Sequence, residues 1–380
     1  MKNRKVVIVT NVPSPYRIPL FNELHSQLLF EGVELKVLFG SDHYSRRKFK
    51  LNLAECSFSY EFLDSGKYNF GDQEKTYFTY KGLMSALKVE KPDCIIMSGF
   101  SLGATRLWWY SLFNKVNYII WTGSINHKDK NNSLMRRIQR KLIASRASAF
   151  IAYGSLAKKY LMSLGLPEQK IHIATNTVDT AFFSTETNAL RKVLAPQERV
   201  HLTYIGYLSP RKNVIRVLEV VKELSKVRTD FVLDIIGDGT DKPILEKFVQ
   251  MNGLAEFVRF HGFRQKAELP AFMAKSSGFL FQTDFDIWGL VLNEAMAAGL
   301  PCITSLHAGA SVDLIRDGEN GFIVDYSDKK KVIEKINLIL DHPEESKRMG
   351  QKAKEFIVKE ASIQVSASGF VKAILMSLSP

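Results

Sequence analysis

The chain has 380 residues, of which 46% are hydrophobic and 24% charged, and a formal net charge of +13. These proportions exclude a disordered, collagenous or low-complexity chain, and the length passes the ~250–300 residues at which a single core stops growing, so two domains are expected. Cys56, Cys94 and Cys302 are far apart and lack metal-ligand spacing, which points to a reducing compartment and away from a zinc site.

The first apolar run, Val6 to Val9, is too short for a secretory signal and reads as a first strand. No run approaches the ~18–20 apolar residues of a membrane span, so a cytoplasmic protein is expected, peripheral at the inner face of the membrane if it touches one. Strand-like runs follow at 5–10, 33–40, 93–98, 117–123, 149–154 and 170–175, with helical segments at 19–30, 82–90 and 155–164 among them. A second series occupies 199–206, 231–239, 258–263, 278–283, 301–305 and 321–325. Runs apolar on both faces, alternating with helices, predict an α/β protein made of two doubly wound, Rossmann-like parallel sheets. The halves are expected to join near residues 180–198, where the polar stretch "STETNALRKVLAPQER" suits a linker or a loop plus short helix. The predicted domains are 1–184, 185–360 and a C-terminal helix, 361–380, packing back on the first. Ligands of such folds sit at the carboxyl ends of strands, here in a cleft between the two halves.

The basic excess is one-sided. Residues 1–184 hold 26 Lys and Arg against 14 Asp and Glu, and the remainder 26 against 25. One cluster is "SRRKFK" at 45–50. In the other, "SLMRRIQRKLIASR" at 133–146, Leu134, Ile138 and Leu142 form an apolar stripe flanked by Arg136, Arg137, Arg140 and Lys141. This is either a core-packing helix with a solvated basic back or a surface for anionic headgroups or a phosphate-bearing substrate. No nucleic-acid recognition motif accompanies the charge.

Several strand ends carry chemistry. "TNVPSPYR" ends the first strand in a proline-stiffened loop that projects Tyr16 and Arg17, so it is not a glycine-rich dinucleotide turn; Arg17 could hold a phosphate or carboxylate or be a plain surface arginine. In "IGYLSPRKNV", Gly206 permits close approach, and Arg211 and Lys212 sit where a helix begins, although helix starts favour acids. Two cations there could neutralise a diphosphate. "IIGDGTD", with Asp238, and "VRFHGF", with His261, are strand-end loops that decide nothing alone. The stretch "DIWGLVLNEAMAAGLPC", 286–302, is more specific. Gly289 opens a helix with free amides that Gly299 and Pro301 close, while Asp286 and Glu294 would repel phosphate and suit the hydroxyls of a sugar or ribose.

This stretch resembles the signature of retaining nucleotide-sugar glycosyltransferases of family 4, which have the GT-B fold: an acidic residue, seven others, then Glu, in a pattern like "E-x-F-G-x-x-x-x-E-A-x-A-x-G-x-P". The family's "G-x-L-x-x-x-K" falls on Gly206, Leu208 and Lys212, its "N-G-V-D" turn on "NTVD" at 176–179, and its "N-G-x-x-V" element on "DGENGFIV" at 317–324. The likeness is close over about residues 145–355. It implies a nucleoside diphosphate sugar, UDP- or GDP-linked, as donor substrate, with no metal and no other cofactor. It implies that Lys212, helped by Arg211, binds the diphosphate and that Asp286 holds hydroxyls of the transferred sugar. The amides of Gly289 and Leu290 meet oxygens, Glu294 binds the ribose, and Gly206, Asp238, His261 and Trp288 line the donor site. Tyr16, Arg17, Gly99, Thr122, Gly123 and His127 are the corresponding acceptor-side candidates. Two positions depart from the pattern: Asp286 stands where relatives have Glu, and Tyr207 where many have Arg. Where many members have a first-domain His this chain reads "IIWTGSINH", leaving Thr122, Gly123 and His127 as replacements. The acceptor implied by charge and family is a lipid-linked or other anionic glycan intermediate. The competing readings are a nucleotide-sugar epimerase of similar fold and a non-catalytic sugar-nucleotide-binding protein.

Overall fold

A computed structural model describes residues 4–42, 48–64, 67–69, 76–126 and 133–379. It divides into two compact units, Met1–Asn176 with Ile363–Pro380, and Thr177–Ser362.

The first unit runs β1 (Arg4–Thr10), α1 (Arg17–Phe30), β2 (Val33–Phe39), β3 (Ser59–Phe62), β4 (Lys67–Asn69), β5 (Thr76–Phe78), α2 (Leu83–Glu90), β6 (Cys94–Ser98), α3 (Leu102–Phe113), β7 (Asn117–Thr122), α4 (Leu134–Ser145), β8 (Ala149–Ala152), α5 (Ser155–Ser163) and β9 (Ile171–Ile173). Seven of these strands form one sheet in the order β3-β2-β1-β6-β7-β8-β9, every neighbour parallel. Val6, Val7, Ile8 and Val9 are fully buried because β1 lies mid-sheet with helices over both faces. The order in which strands are added to the sheet reverses between β1 and β6, the switch point where loops diverge and leave room for a ligand.

The second unit follows with α6 (Thr180–Lys192), β10 (Val200–Ile205), α7 (Ile215–Leu224), β11 (Phe231–Ile236), α8 (Lys242–Met251), β12 (Val258–Gly262), α9 (Leu269–Lys275), β13 (Ser276–Phe281), α10 (Leu290–Ala297), β14 (Cys302–Ser305), α11 (Ser311–Leu314), β15 (Gly321–Val324), α12 (Lys329–Asp341) and α13 (Pro343–Ala361). Its sheet is ordered β12-β11-β10-β13-β14-β15, again all parallel, with the switch between β10 and β13.

The division falls at 176/177 rather than 184/185, because the supposed joint is mostly α6, a 13-residue helix capped by Asp179 and packed on α9 and α10. The last helix, α14 (Ile363–Leu378), packs on α1 of the first unit, where Ala367, Phe370, Ala373 and Ile374 are fully buried. Residues 343–378 do have the length and mean hydropathy of a membrane-crossing helix, contrary to the sequence expectation, but 56% of the apolar window is buried within the protein.

Candidate functional site

The residues picked out in the second unit converge on its switch point. Lys212 lies in the loop after β10 and Asp286 in the loop after β13, and these strands are neighbours. Arg211 and Lys212 stand in the turn before α7, whose first residue is Ile215, rather than in the helix itself. That turn is fixed by Lys212 N–H donating to Ser209 O (2.8 Å) and by Asn213 in the left-handed region (φ 44°). The Arg211 carbonyl accepts from the Asp284 N–H (3.0 Å), and the Asn213 side chain donates to the Asp284 carboxylate (2.7 Å), tying the two loops together.

Lys212 is buried and donates to Asp286 Oδ2 at 2.5 Å, with its Nζ 5.0 Å from the centroid of the Phe281 ring. Arg211 lies 3.6 Å from the same carboxylate and donates to the Phe285 carbonyl (2.8 Å). Desolvation works against ionisation of Asp286, but the charges of Lys212 and Arg211 outweigh it and hold the carboxyl below its ordinary range. The loop carrying Asp286 is clamped from the far side by residues 307–310. The Gly309 N–H donates to Asp286 O (3.0 Å) and the Ala310 N–H to Trp288 O (3.0 Å), and a Cβ on Gly309 would sit 2.1 Å from the Ile287 carbonyl oxygen.

Gly289 is the N-cap of α10 at φ 100°, and a Cβ there would fall 2.4 Å from the buried Phe281 ring. Only glycine fits that turn. Leu290 opens the helix, and Trp288 is buried with its indole N–H donating to fully buried Asn293 (3.0 Å), so it braces the turn from inside. Glu294, one turn further on, is half-buried, and its carboxyl has no hydrogen bond or ion pair among the described residues; desolvation pushes its pKa up to about 8, against a weaker opposing pull from Lys266. It is largely neutral at pH 7.

The glycine loop after β11 packs on the Lys212 loop. Cβ atoms on Gly237 and Gly239 would sit 1.9 Å and 2.1 Å from the carbonyl oxygens of Gly206 and Leu208, and the Leu208 N–H donates to Asp238 O (3.0 Å). Asp238 turns its carboxylate onto the Gly239 N–H (2.9 Å). His261 donates to Asp234 (2.6 Å), whose other oxygen is 2.5 Å from His201 Nδ1, and its ring lies 4.8 Å from that of Phe272, tilted by 60°. Burial opposes ionisation of Asp234, but the two histidines hold it below its usual range. Asp234 and His201 escaped sequence reasoning; the available signal was a polar residue inside each of two otherwise apolar strands. Tyr204 was missed too. It is fully buried directly beneath Gly206, and its hydroxyl has no hydrogen-bond partner among the described residues.

In the first unit, Arg17 opens α1 and is buried, with its guanidinium 4.2 Å from the Trp121 ring centroid and 5.4 Å from those of Tyr16 and Tyr153. It donates to the Tyr153 hydroxyl (3.1 Å); its other terminal nitrogen has no partner, and it has no carboxylate among the described residues. The surface-arginine reading is therefore replaced by a caged cation. Gly99 (φ 73°) donates to the Trp121 carbonyl (2.7 Å), and buried Thr122 exchanges hydrogen bonds with Ser124 next to Gly123. The structure thus gathers Arg17, Gly99 and Thr122 at the carboxyl ends of β1, β6 and β7. Trp121 and Tyr153, the aromatic walls, were not foreseen because each reads as one more apolar strand-end residue. His127 and residues 45–47 lie outside the described residues.

Residues 186–356 match the family described as "Glycosyl transferases group 1". The second unit belongs to the group 1 glycosyl transferases. The whole chain shares the GT-B fold of solved family 4 proteins. HepE of Anabaena, solved in complex with UDP, superposes with a TM-score of 0.77 over 98% of this chain and 99% of that one at 16% identity. The sucrose-phosphate synthase of Thermosynechococcus elongatus gives 0.76 over 99% and 100% at 15%. By sequence, the group 1 unit and its flanks are 26% identical over 208 residues to the alpha-D-kanosaminyltransferase of Streptomyces kanamyceticus, covering 54% of this chain and 53% of that one. They are also 26% identical over 197 residues to the N-acetyl-alpha-D-glucosaminyl L-malate synthase of Bacillus anthracis, covering 51% and 50%. The chain spans about half the length of these curated relatives.

Proposed function

We propose that this chain is a retaining glycosyltransferase that moves a sugar from a nucleoside diphosphate sugar to an acceptor held by the first unit. The observation that carries the reading is the Lys212–Asp286 pair, flanked by Arg211, at the switch point of a group 1 unit. Asp286 serves as counterion to a buried lysine. A bound donor supplies a diphosphate for Lys212 and Arg211 and sugar hydroxyls for Asp286. As the anomeric C–O bond breaks, its electron pair goes to the departing phosphate oxygen, where the two cations stabilise it. The acceptor hydroxyl bonds to the same face of the sugar and passes its proton to that oxygen. These cations and the amides at Gly289 and Leu290 take the electrostatic role of a metal, so turnover should persist in a chelator.

UDP is the first donor nucleotide to test, since HepE is solved with UDP and with UDP-glucose. An anionic acceptor suits Arg17, a buried cation with no carboxylate partner among the described residues. A cell-surface glycan intermediate is supported by similarity to a colanic acid biosynthesis glycosyltransferase of Escherichia coli, 26% identical over 182 residues. The reading places the protein peripherally at the inner face of the membrane, where a lipid-linked acceptor is reached from the cytoplasm. Incubating the protein with UDP-sugars and an acceptor should release UDP. Isomerisation of the donor without an acceptor would instead identify an epimerase, and binding without turnover a sugar-nucleotide-binding protein.

A further inference from the structure

In α4, packing runs opposite to the usual rule for an amphipathic helix. Of its apolar residues only Ile143 and Ala144 are buried, whereas Leu134 (70% exposed), Met135 (76%), Ile138 (46%) and Leu142 (45%) face solvent. The four-residue stripe that would have packed into the core is thus the outward face, and Arg137 and Lys141, both exposed, border it. Arg140 is drawn inward, donating to the Tyr160 hydroxyl with its guanidinium 5.5 Å from the Phe100 ring centroid, so it is no part of that surface.

The neighbouring helix does the same. α3 lies beside α4, joined by Gln139 donating to the Thr105 hydroxyl (2.9 Å) and Arg146 donating to the Ser111 carbonyl (2.8 Å). Its outer face carries Trp109 (60% exposed) and Phe113 (75%), their ring centroids 5.9 Å apart. Two adjoining helices thus each turn large apolar side chains, two of them aromatic, to solvent, the kind of exposure that marks an interaction surface. Neither helix contains an Asp or Glu.

We propose that the outer face of α3 and α4 docks on an anionic lipid bilayer, with Trp109, Phe113, Leu134 and Ile138 entering the headgroup boundary and Arg137 and Lys141 meeting lipid phosphates. Charge complementarity selects this occupant. A cation-rimmed apolar face whose two helices carry no acid suits a surface of uniform negative charge, whereas a second copy would bring the same cations against it. Trp and Phe are the side chains that settle at that depth. The inference is independent of the sugar-transfer reading, and its test involves no turnover.

The full chain is sedimented with phosphatidylglycerol vesicles and, separately, with phosphatidylcholine vesicles. Stronger binding to phosphatidylglycerol by about tenfold or more is expected at low salt, and Arg137→Gln with Lys141→Gln should weaken it roughly 10–30-fold. Leu134→Ser with Ile138→Ser and Phe113→Ser should weaken it at least as much at any salt. These positions are exposed, and an unchanged Tm would confirm that the variants fold. In the wild type, brominated lipid should quench Trp fluorescence, and the quenching should vanish in Trp109→Phe. Equal binding to both vesicle types, or wild-type binding by the serine variant, would overturn the proposal. So would a concentration-dependent dimer that the same substitutions abolish, since that would assign the face to a second copy.

Discussion

Lys212→Ala separates the two roles the structure gives this lysine. It neutralises Asp286 at 2.5 Å, with Arg211 further away at 3.6 Å. Stripping one partner from a buried ion pair costs ~3–5 kcal/mol, and Arg211 still offsets part of the stranded charge, so a loss of about 2–3 kcal/mol of stability is expected. In turnover the same change removes a preorganised cation from the leaving diphosphate, worth ~2–4 kcal/mol or roughly 10²–10³ in kcat/KM. Adding Asp286→Asn in the Lys212→Ala background discharges the stranded carboxylate and should return most of the stability but none of the rate. Urea unfolding reads the first quantity and a nucleoside diphosphate release assay the second. An unchanged kcat/KM in Lys212→Ala, or recovery of rate together with stability in the double variant, would refute the assignment of Lys212 to the diphosphate.

Three further outcomes follow from the geometry. Glu294 is largely protonated at pH 7 because its pKa is raised to about 8; if the ribose diol donates to its carboxylate, binding expels that proton. Donor affinity should then rise with pH up to about 8, by at most about tenfold per unit, and level off above it, while Glu294→Gln should flatten the profile. A flat wild-type titration by calorimetry would contradict this. Gly289→Ala forces a side chain into the left-handed region and onto the Phe281 ring, so a loss of about 2–4 kcal/mol is expected in chemical denaturation, together with weakened donor binding. Arg17→Gln should raise the KM for an anionic acceptor by roughly 10-fold or more, as expected for a lost charge-assisted hydrogen bond, and leave the KM for the donor unchanged. A rise in the donor KM alone would displace Arg17 from the acceptor side.

The central strands were legible because burial on both faces demands unbroken apolar runs, as in Val6 to Val9 of β1. β3 was not, since every residue of "SYEF" is exposed at the sheet edge and no face of it is selected for burial. The short hairpin of β4 and β5 was missed with it. Composition also cannot say which way a lone helical stripe points. Leu134, Ile138 and Leu142 have a core-facing pattern, yet Ile143 and Ala144 make the contact. In the candidate site, Arg211, Lys212, Asp286 and Gly289 were found because strand-end loops concentrate at the switch point. Their pairing was invisible, because 74 residues separate Lys212 from Asp286. The glycines at 237 and 239 show a further limit. From the sequence they decide nothing alone, and the atoms they admit are the carbonyl oxygens of Gly206 and Leu208. Nor could the sequence place Trp121 and Tyr153 around Arg17, since only parallel pairing of β7 with β8 brings their ends together.

The central claim is sugar transfer from a nucleoside diphosphate donor at the Lys212–Asp286 site. It is tested most directly by screening UDP- and GDP-sugars for nucleoside diphosphate release, with and without a lipid extract as the source of acceptor, for the wild type and Lys212→Ala in parallel. The account predicts release from one donor that depends on the extract and falls 10²–10³-fold, about 2–4 kcal/mol, in the variant. Release that is equal in both proteins, or a donor that is bound or isomerised with no diphosphate released, would contradict it.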